Sequence, residues 1–97
     1  MKRYNVLVQP EVQEEVDAIR RYQTGLDPKR GRRFMDAFNT CLLELRAKPS
    51  FQKRKGNYRH VVLRKLPFRV VFEVRGDDVI VFQVRHTSRK PNKRFGP

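Results

Sequence analysis

The sequence predicts an α+β fold in the order β-α-α-β-β-β, with a helical hairpin packed on one face of a four-stranded, mostly antiparallel sheet. Two observations predict this class. In the first half, apolar residues recur every three or four positions, which is the period of an amphipathic helix. In the second half they alternate with polar residues, which is the period of a half-buried strand. Because two helices cover only one face of a sheet, the other face is predicted to be open.

The first half of the chain predicts a strand followed by two helices. Residues 3–8 (RYNVLV) alternate as a short strand does. Pro10 suits the first turn of a helix, which is expected to end at Gly25. Asp27 before Pro28 then predicts an N-cap followed by a first-turn proline of the second helix. The apolar stripes expected to face the sheet are Val12, Val16 and Ile19 in the first helix and Phe34, Phe38, Cys41 and Leu45 in the second.

The second half predicts three antiparallel strands, at 58–63, 68–74 and 79–86. Residues 76–77 (Gly-Asp) lie between the last two strands and predict a two-residue hairpin turn. The basic residues 53–55 are expected in the loop before the first of these strands.

The alternation also predicts which side chains face the helices. The predicted core face consists of Phe68, Val70, Phe72 and Val74 in one strand and Ile80, Phe82 and Val84 in the next. The predicted open face carries Arg59, Arg69 and Glu73, joined by Gln83. His60 is in phase with Tyr58 and Val62 and is therefore expected to face the helices.

The charge of the chain is its most unusual property. Its 97 residues include 23 Lys and Arg against 10 Asp and Glu, a net charge of +13. The positive charges of a compact chain repel one another, and a polyanionic partner relieves this repulsion. The partner could be nucleic acid, an acidic membrane surface or an acidic protein. The membrane is the least favoured, because no apolar run approaches the roughly 20 residues needed to span a bilayer. With no signal peptide visible before Pro10, we expect one cytoplasmic domain spanning 1–97.

Cys41 is the single cysteine of the chain. An intrachain disulfide and a cysteine-based metal site are therefore excluded, and neither a metal nor a cofactor is predicted. Within a helical apolar stripe, a lone cysteine is expected to be a small buried hydrophobe.

The element order, the stretch LPFRVVFEVRGDDVIVFQVRHTSRKP at 66–91 and the aromatic residue near the end resemble the RelE/ParE superfamily of bacterial toxins, its plasmid-stabilisation branch in particular. This resemblance implies a toxin of a type II toxin–antitoxin module that inhibits growth until a cognate acidic antitoxin neutralises it. One branch of the superfamily cuts messenger RNA in the ribosomal A site, and another poisons DNA gyrase. The resemblance leaves the target open between these two.

Comparison with the ribonucleolytic branch implies a candidate catalytic set. Arg69 and Arg89 match two of its five positions, whereas its lysine pair falls on His60 and Val62 and its tyrosine on Phe95. The arginines could stabilise charge on a scissile phosphate, and a histidine or a carboxylate could move a proton. The candidate catalytic residues are Arg69, Arg89, His86 and Glu73.

Two of these candidates also have a structural interpretation. His86 suits a half-buried position at a strand end. Glu73 could pair with Arg69 across the sheet, which would contribute about 0.2–1 kcal/mol. The catalytic and structural roles both stay open at this point, so the chain is either a nuclease with a degenerate site or an inhibitor that needs no catalytic set.

Basic residues interleaved with aromatic ones predict a nucleic-acid surface, because phosphates take the charge and bases stack on rings. The candidate binding residues are Lys53, Arg54, Lys55, Arg59, Arg85, Lys90 and Phe95. A second basic cluster at 29–33 opens the second helix, where the macrodipole disfavours each cation by about 0.3–1 kcal/mol. Solvated charge that maintains solubility is the alternative for this cluster, and a non-toxic RNA-binding module is the alternative for the whole chain.

Overall fold

The computed structural model describes residues 3–51 and 53–88. Its elements are β1 (Asn5–Val8), α1 (Pro10–Leu26), α2 (Pro28–Ala47), β2 (Lys53–Lys55), β3 (Tyr58–Val62), β4 (Phe68–Arg75) and β5 (Asp78–His86). The predicted α+β class and the helical hairpin on one face of the sheet are confirmed. The first strand begins at Asn5, two residues later than the sequence indicates.

The sheet has five strands in the order β1-β5-β4-β3-β2, so the prediction of four strands was wrong. The additional strand is β2, in which Lys53 pairs with Arg59 and Lys55 with Tyr58. All three residues of β2 are exposed, and a strand without apolar residues leaves no alternation to detect. A turn at Gly56, with a φ of 56°, connects β2 to β3. β1 pairs with β5 in parallel, which makes the sheet mixed, and the other three pairings are antiparallel.

The helices begin where the sequence predicts. The Asp27 carboxylate accepts a hydrogen bond of 2.9 Å from the Lys29 N–H, and Pro28 opens α2. The two helices approach closely at Gly31, where a Cβ atom would overlap the Thr24 hydroxyl. Among the described residues, no helix is both long enough and apolar enough to cross a membrane.

One hydrophobic core lies between the helical hairpin and the sheet. Its buried members are Val12, Val16, Phe34, Phe38, Cys41, Leu45, Leu63, Phe68, Val70, Phe72, Val79, Val81 and Val84. Phe34 stacks on Phe38 and meets the edge of Phe68, with ring centroids 6.3 and 5.1 Å apart. Both predicted helical stripes therefore contribute to the core.

A β-bulge in β5 overturns part of the predicted face assignment. Val71 pairs with Gln83 and Phe72 pairs with Val81, so Phe82 is an extra residue on its strand. The extra residue shifts the alternation by one position. Val84 faces the core as predicted, but upstream of the bulge the core residues are Val79 and Val81, and the prediction of Ile80 and Phe82 was wrong.

Two assignments in β3 also differ from the prediction, because residues directly opposite each other in an antiparallel pair share a face. Arg59 lies opposite Phe72, a core residue, and is therefore on the helix-covered face. His60 lies opposite Val71 and shares the open face with Arg69. YRHVV has apolar residues in both phases, so the alternation alone does not determine which phase faces the helices.

Candidate functional site

The open face of the sheet carries two rows of side chains at the end where β5 terminates. The last row contains Val62, Arg69 and Arg85, which are paired across three strands. The row before it contains His60, Val71 and Gln83. Arg85 is 3% exposed and His60 is 6% exposed, so polar groups on this face are buried as deeply as core residues.

Arg69 and Arg85 face each other directly across β4 and β5. Like charges at opposed positions destabilise a sheet, and burying a guanidinium raises its desolvation penalty. A guanidinium group presents its N–H donors in a planar fork that matches the oxygen atoms of a phosphate group, so each arginine has the chemistry of a phosphate ligand.

His60 completes this arrangement. Its Nδ1 lies 3.2 Å from Nη1 of Arg69. A guanidinium group has donors only, so Nδ1 accepts the hydrogen bond and the ring proton resides on Nε2. We refer to Arg69, Arg85 and His60 as the cationic cluster. It places arginines beside an imidazole whose Nδ1 lone pair is engaged by Arg69. Phosphodiester cleavage requires cations for the phosphate and a group that accepts a proton, and these residue types can supply both.

Glu73 also lies on the open face, in the row of Tyr58 and Ile80. Its carboxylate binds Arg75 on the same strand, with oxygen-to-nitrogen distances of 2.7 and 3.3 Å. The hydrogen bond with Glu73, assisted by its charge, raises the pKa of Arg75 above the ordinary value. Both carboxylate oxygens of Glu73 are thus engaged within β4, and its ion-pair partner is Arg75 instead of Arg69.

His86 lies on the other side of the sheet from the cationic cluster. It is opposite Phe68, and the two rings meet edge to face at 5.4 Å. Its Nδ1 accepts a hydrogen bond of 3.1 Å from the Ser88 N–H and lies 2.7 Å from the Ser88 hydroxyl oxygen. The structure therefore separates His86 from Arg69, although the sequence groups them.

The predicted nucleic-acid residues divide between three places. Lys53, Arg54 and Lys55 are exposed on the edge strand β2, which corrects their assignment to a loop. Arg59 donates a hydrogen bond of 2.8 Å from Nη1 to the Pro49 carbonyl, so it links the sheet to the chain after α2. Arg85 joins Arg69 in the cationic cluster. The remaining candidates, Arg89, Lys90 and Phe95, lie outside the described residues.

Metal and thiol chemistry find no support in the described part of the chain. Residues 3–51 and 53–88 contain no group of three or more His, Cys, Asp or Glu side chains that could hold a metal ion. Burial, with a smaller contribution from the Glu44 charge, raises the pKa of Cys41 to about 12. The Cys41 thiol is therefore protonated at neutral pH and unreactive.

Comparison with known proteins identifies the family. Residues 6–91 match the family model described as the ParE toxin of the type II toxin–antitoxin system, parDE. The chain belongs to the ParE toxin family. A sequence search of curated proteins finds no match.

Two solved structures show the same fold at low sequence identity. A chain of the chromosomal ParDE toxin–antitoxin system from P. aeruginosa is 14% identical, with a TM-score of 0.77 over 88% of this chain and 97% of that one. A mutant of the E. coli toxin RelE in the free state is 16% identical, with a TM-score of 0.59 over 89% and 85%. The predicted membership of the RelE/ParE superfamily is confirmed.

Proposed function

We propose that this ParE-family chain is the growth-inhibiting toxin of a type II toxin–antitoxin module and acts in the cytoplasm on RNA bound to the ribosome. The cationic cluster would bind the target phosphodiester. The observation that supports this most strongly is the direct opposition of Arg69 and Arg85, with His60 in contact with Arg69. Arg69, half-buried beside His60, would donate hydrogen bonds to a phosphate oxygen.

The cluster also supports a cleavage step. While Arg69 donates to His60 Nδ1, the imidazole lone pair is occupied. If Arg69 turns its guanidinium toward a phosphate, that lone pair becomes free to accept the proton of a ribose 2′-hydroxyl. The 2′-oxygen then attacks the adjacent phosphorus, the bond to the 5′-oxygen breaks, and the leaving oxygen takes a proton from water. Arg69 and Arg85 would stabilise the charge that develops on the phosphoryl oxygens.

Neutralisation would come from a cognate acidic antitoxin. The net charge of +13 favours association with an acidic partner, and the family is defined within toxin–antitoxin systems. The structurally similar P. aeruginosa chain is part of such a system. A small acidic protein in the adjacent reading frame would agree with this proposal.

Inhibition of DNA gyrase is the second candidate. It is favoured by Val62, which stands where the ribonucleolytic branch has a lysine and is 51% exposed in the same row as Arg69 and Arg85. His60 replaces the other lysine of that pair, and Phe95 replaces the tyrosine. An inhibitor would use the same face for binding and would not need a proton-transfer group.

Mapping of transcript ends after induction without antitoxin separates the two candidates. The RNA-directed toxin should produce codon-phased cuts in translated messages, and these cuts should disappear in Arg69→Ala and decrease in His60→Gln. Arg64→Ala is the matched control, because Arg64 is exposed near the same end of the sheet and binds Glu44 instead. Intact transcripts together with accumulated DNA breaks would instead establish gyrase as the target.

A further inference from the structure

The helical hairpin projects past the end of the sheet. Ile19 on α1 lines a cavity together with His86, the last residue of β5. Gln23 lines the same cavity, and α1 continues for three more residues to Leu26, which at about 1.5 Å per residue carries its end about 5 Å further. We call residues 20–33, the end of α1 and the start of α2, the hairpin tip.

The hairpin tip is strongly basic. Its cations are Arg20, Arg21, Lys29, Arg30, Arg32 and Arg33. Asp27, the one acidic residue of the tip, is engaged as the N-cap of α2. Within residues 3–51 and 53–88, none of the six cations forms an ion pair. Cations three or four positions apart repel one another, and the helix macrodipole opposes those in the first turn of α2.

A cavity of about 320 Å³ separates the hairpin tip from the end of the sheet. It is lined by Ala18, Ile19, Tyr22, Gln23, Phe68 and His86. Tyr22 is 67% exposed, which is unusual for a large aromatic side chain next to an apolar cavity. The His86 ring is held by Ser88 and by its edge contact with Phe68. Three aromatic rings thus border a cleft next to a cluster of cations.

We propose that this cleft binds an unstacked base of a single-stranded nucleic acid, while the cations of the hairpin tip bind the flanking phosphates. Rings and cations alternate in single-strand binding sites because each nucleotide brings one flat base and one charge. Gln23 connects the two parts of the site, since it lines the cleft and its Oε1 accepts a hydrogen bond of 3.2 Å from Arg30 of the hairpin tip.

This site differs from the cationic cluster in position and in chemistry. His86 and Phe68 lie on the helix-covered side of the sheet, whereas Arg69 and Arg85 lie on the open side. Both sites are at the end of the sheet where β5 terminates, so one strand of nucleic acid could contact both. The inference does not depend on toxicity or cleavage, because binding to the cleft is measured on the purified chain.

The test is fluorescence anisotropy with a labelled single-stranded RNA oligomer, its DNA equivalent, and an RNA oligomer of equal length that lacks bases. Tyr22→Ala should weaken binding of the base-containing oligomers about 10-fold, because one stacking partner is lost. It should leave binding of the abasic oligomer unchanged. Leu43→Ala, at another exposed apolar position on a helix, is the control and should change neither affinity.

Charge reversal tests the phosphate contacts separately. Arg32→Glu combined with Arg33→Glu should weaken binding of all three oligomers. It should also reduce the slope of log affinity against log salt concentration by the amount that corresponds to roughly two phosphate contacts. Arg46→Glu, near the other end of α2, is the charge control and should have a smaller effect. A higher affinity for the RNA oligomer than for its DNA equivalent would identify the ligand as RNA, and a higher affinity for the DNA oligomer would identify it as DNA.

Three results would overturn the inference. The abasic oligomer could bind as tightly as the complete one, or Tyr22→Ala could have no effect on the base-containing oligomers. Alternatively, polyglutamate could bind with equal affinity and equal sensitivity to Tyr22→Ala. The last result would assign the cleft to an acidic protein segment.

Discussion

The two faces of the central strands are buried to a similar extent but have opposite chemistry. On the helix-covered face, Val70 and Phe72 pack against apolar side chains and are inaccessible to solvent. On the open face of the two strands that flank β4, Arg85 in β5 and His60 in β3 are nearly as inaccessible. Burial on the first face follows from the hydrophobic effect, whereas burial on the second face is opposed by the cost of desolvating polar and charged groups.

The difference indicates what each face contributes. An apolar face that fills the space beneath two helices maintains the fold, and its residues can be exchanged for others of similar volume. A face that buries an arginine and a histidine incurs a desolvation cost that an apolar face does not. Groups that are kept despite an unfavourable effect on stability are candidates for function.

The largest expected effect comes from the helix-covered face. Phe72→Ala should lower the free energy of unfolding by about 3–5 kcal/mol, because Phe72 is fully buried and meets the edge of the Phe51 ring at 6.1 Å. Arg69→Gln on the open face should change it by less than about 1 kcal/mol, since removal of the like-charge opposition to Arg85 and loss of the hydrogen bond to His60 act in opposite directions. Urea denaturation of both variants measures the contrast, and a loss in Arg69→Gln equal to that in Phe72→Ala would show that both faces are structural.

The reactivity of the Cys41 thiol reports on how tightly the helices pack against the sheet. With the pKa of Cys41 raised from 9.0 to about 12, reaction with a thiol reagent at neutral pH should be about a thousand-fold slower than for an exposed cysteine. The raised pKa also predicts that stability falls as pH rises from 9 toward 12, because the unfolded chain loses the thiol proton first. Cys41→Ala should lack this decline. Rapid labelling of the folded protein would show that the helix-covered face opens readily.

Close packing of the hairpin predicts a smaller effect at Gly31. Gly31→Ala should lower stability by about 1–3 kcal/mol, because the added methyl group meets Thr24 and forces the helices apart. Gly25→Ala is the matched control, since a Cβ atom there has nothing within 4 Å. That change should raise stability by up to about 1 kcal/mol through helix propensity. Equal effects at both glycines in thermal denaturation would contradict the close approach.

The smallest expected effect sharpens the assignment of the open face. Millimolar pyrophosphate should raise the melting temperature of the wild-type chain by a few degrees, because an anion that binds only the folded state stabilises it. The increase should be lost in Arg69→Gln and kept in Arg64→Ala, whose guanidinium group binds Glu44. An increase that survives Arg69→Gln would place the anion elsewhere, for example at the hairpin tip.

Much of the fold follows from local patterns in the sequence. Both helices begin at a proline, Asp27 caps the second helix, and the hairpin turn at Gly76 has the positive φ, 58°, that favours glycine. The β-bulge at Phe82 was missed because an inserted residue changes no local propensity, and only the pairing with β4 reveals it. β2 was missed because its three residues are basic and its hydrogen bonds depend on β3.

The candidate site was predicted only in part, because the side of the sheet is determined by strand pairing. Arg69 was predicted on the open face and lies there, and Arg85 was predicted to bind nucleic acid and lies directly opposite. His60 was placed under the helices and instead contacts Arg69. Arg59 was placed on the open face and instead contacts Pro49. Val62 is paired with Arg69, and His60 is two residues before Val62 on the same strand. Residues two apart on a strand share a face, so this spacing could have placed His60 on the face of Arg69.

Growth after induction without antitoxin tests the central claim, that the cationic cluster is the working site of the toxin. Arg69→Ala should restore colony formation by at least about 10²-fold over the wild type, because one stabilising donor at a reacting phosphate is removed. Arg64→Ala should arrest growth as the wild type does. Both variants should show unaltered circular dichroism and equal abundance. Full arrest by a folded, equally abundant Arg69→Ala variant would contradict the account and move the working site away from the open face.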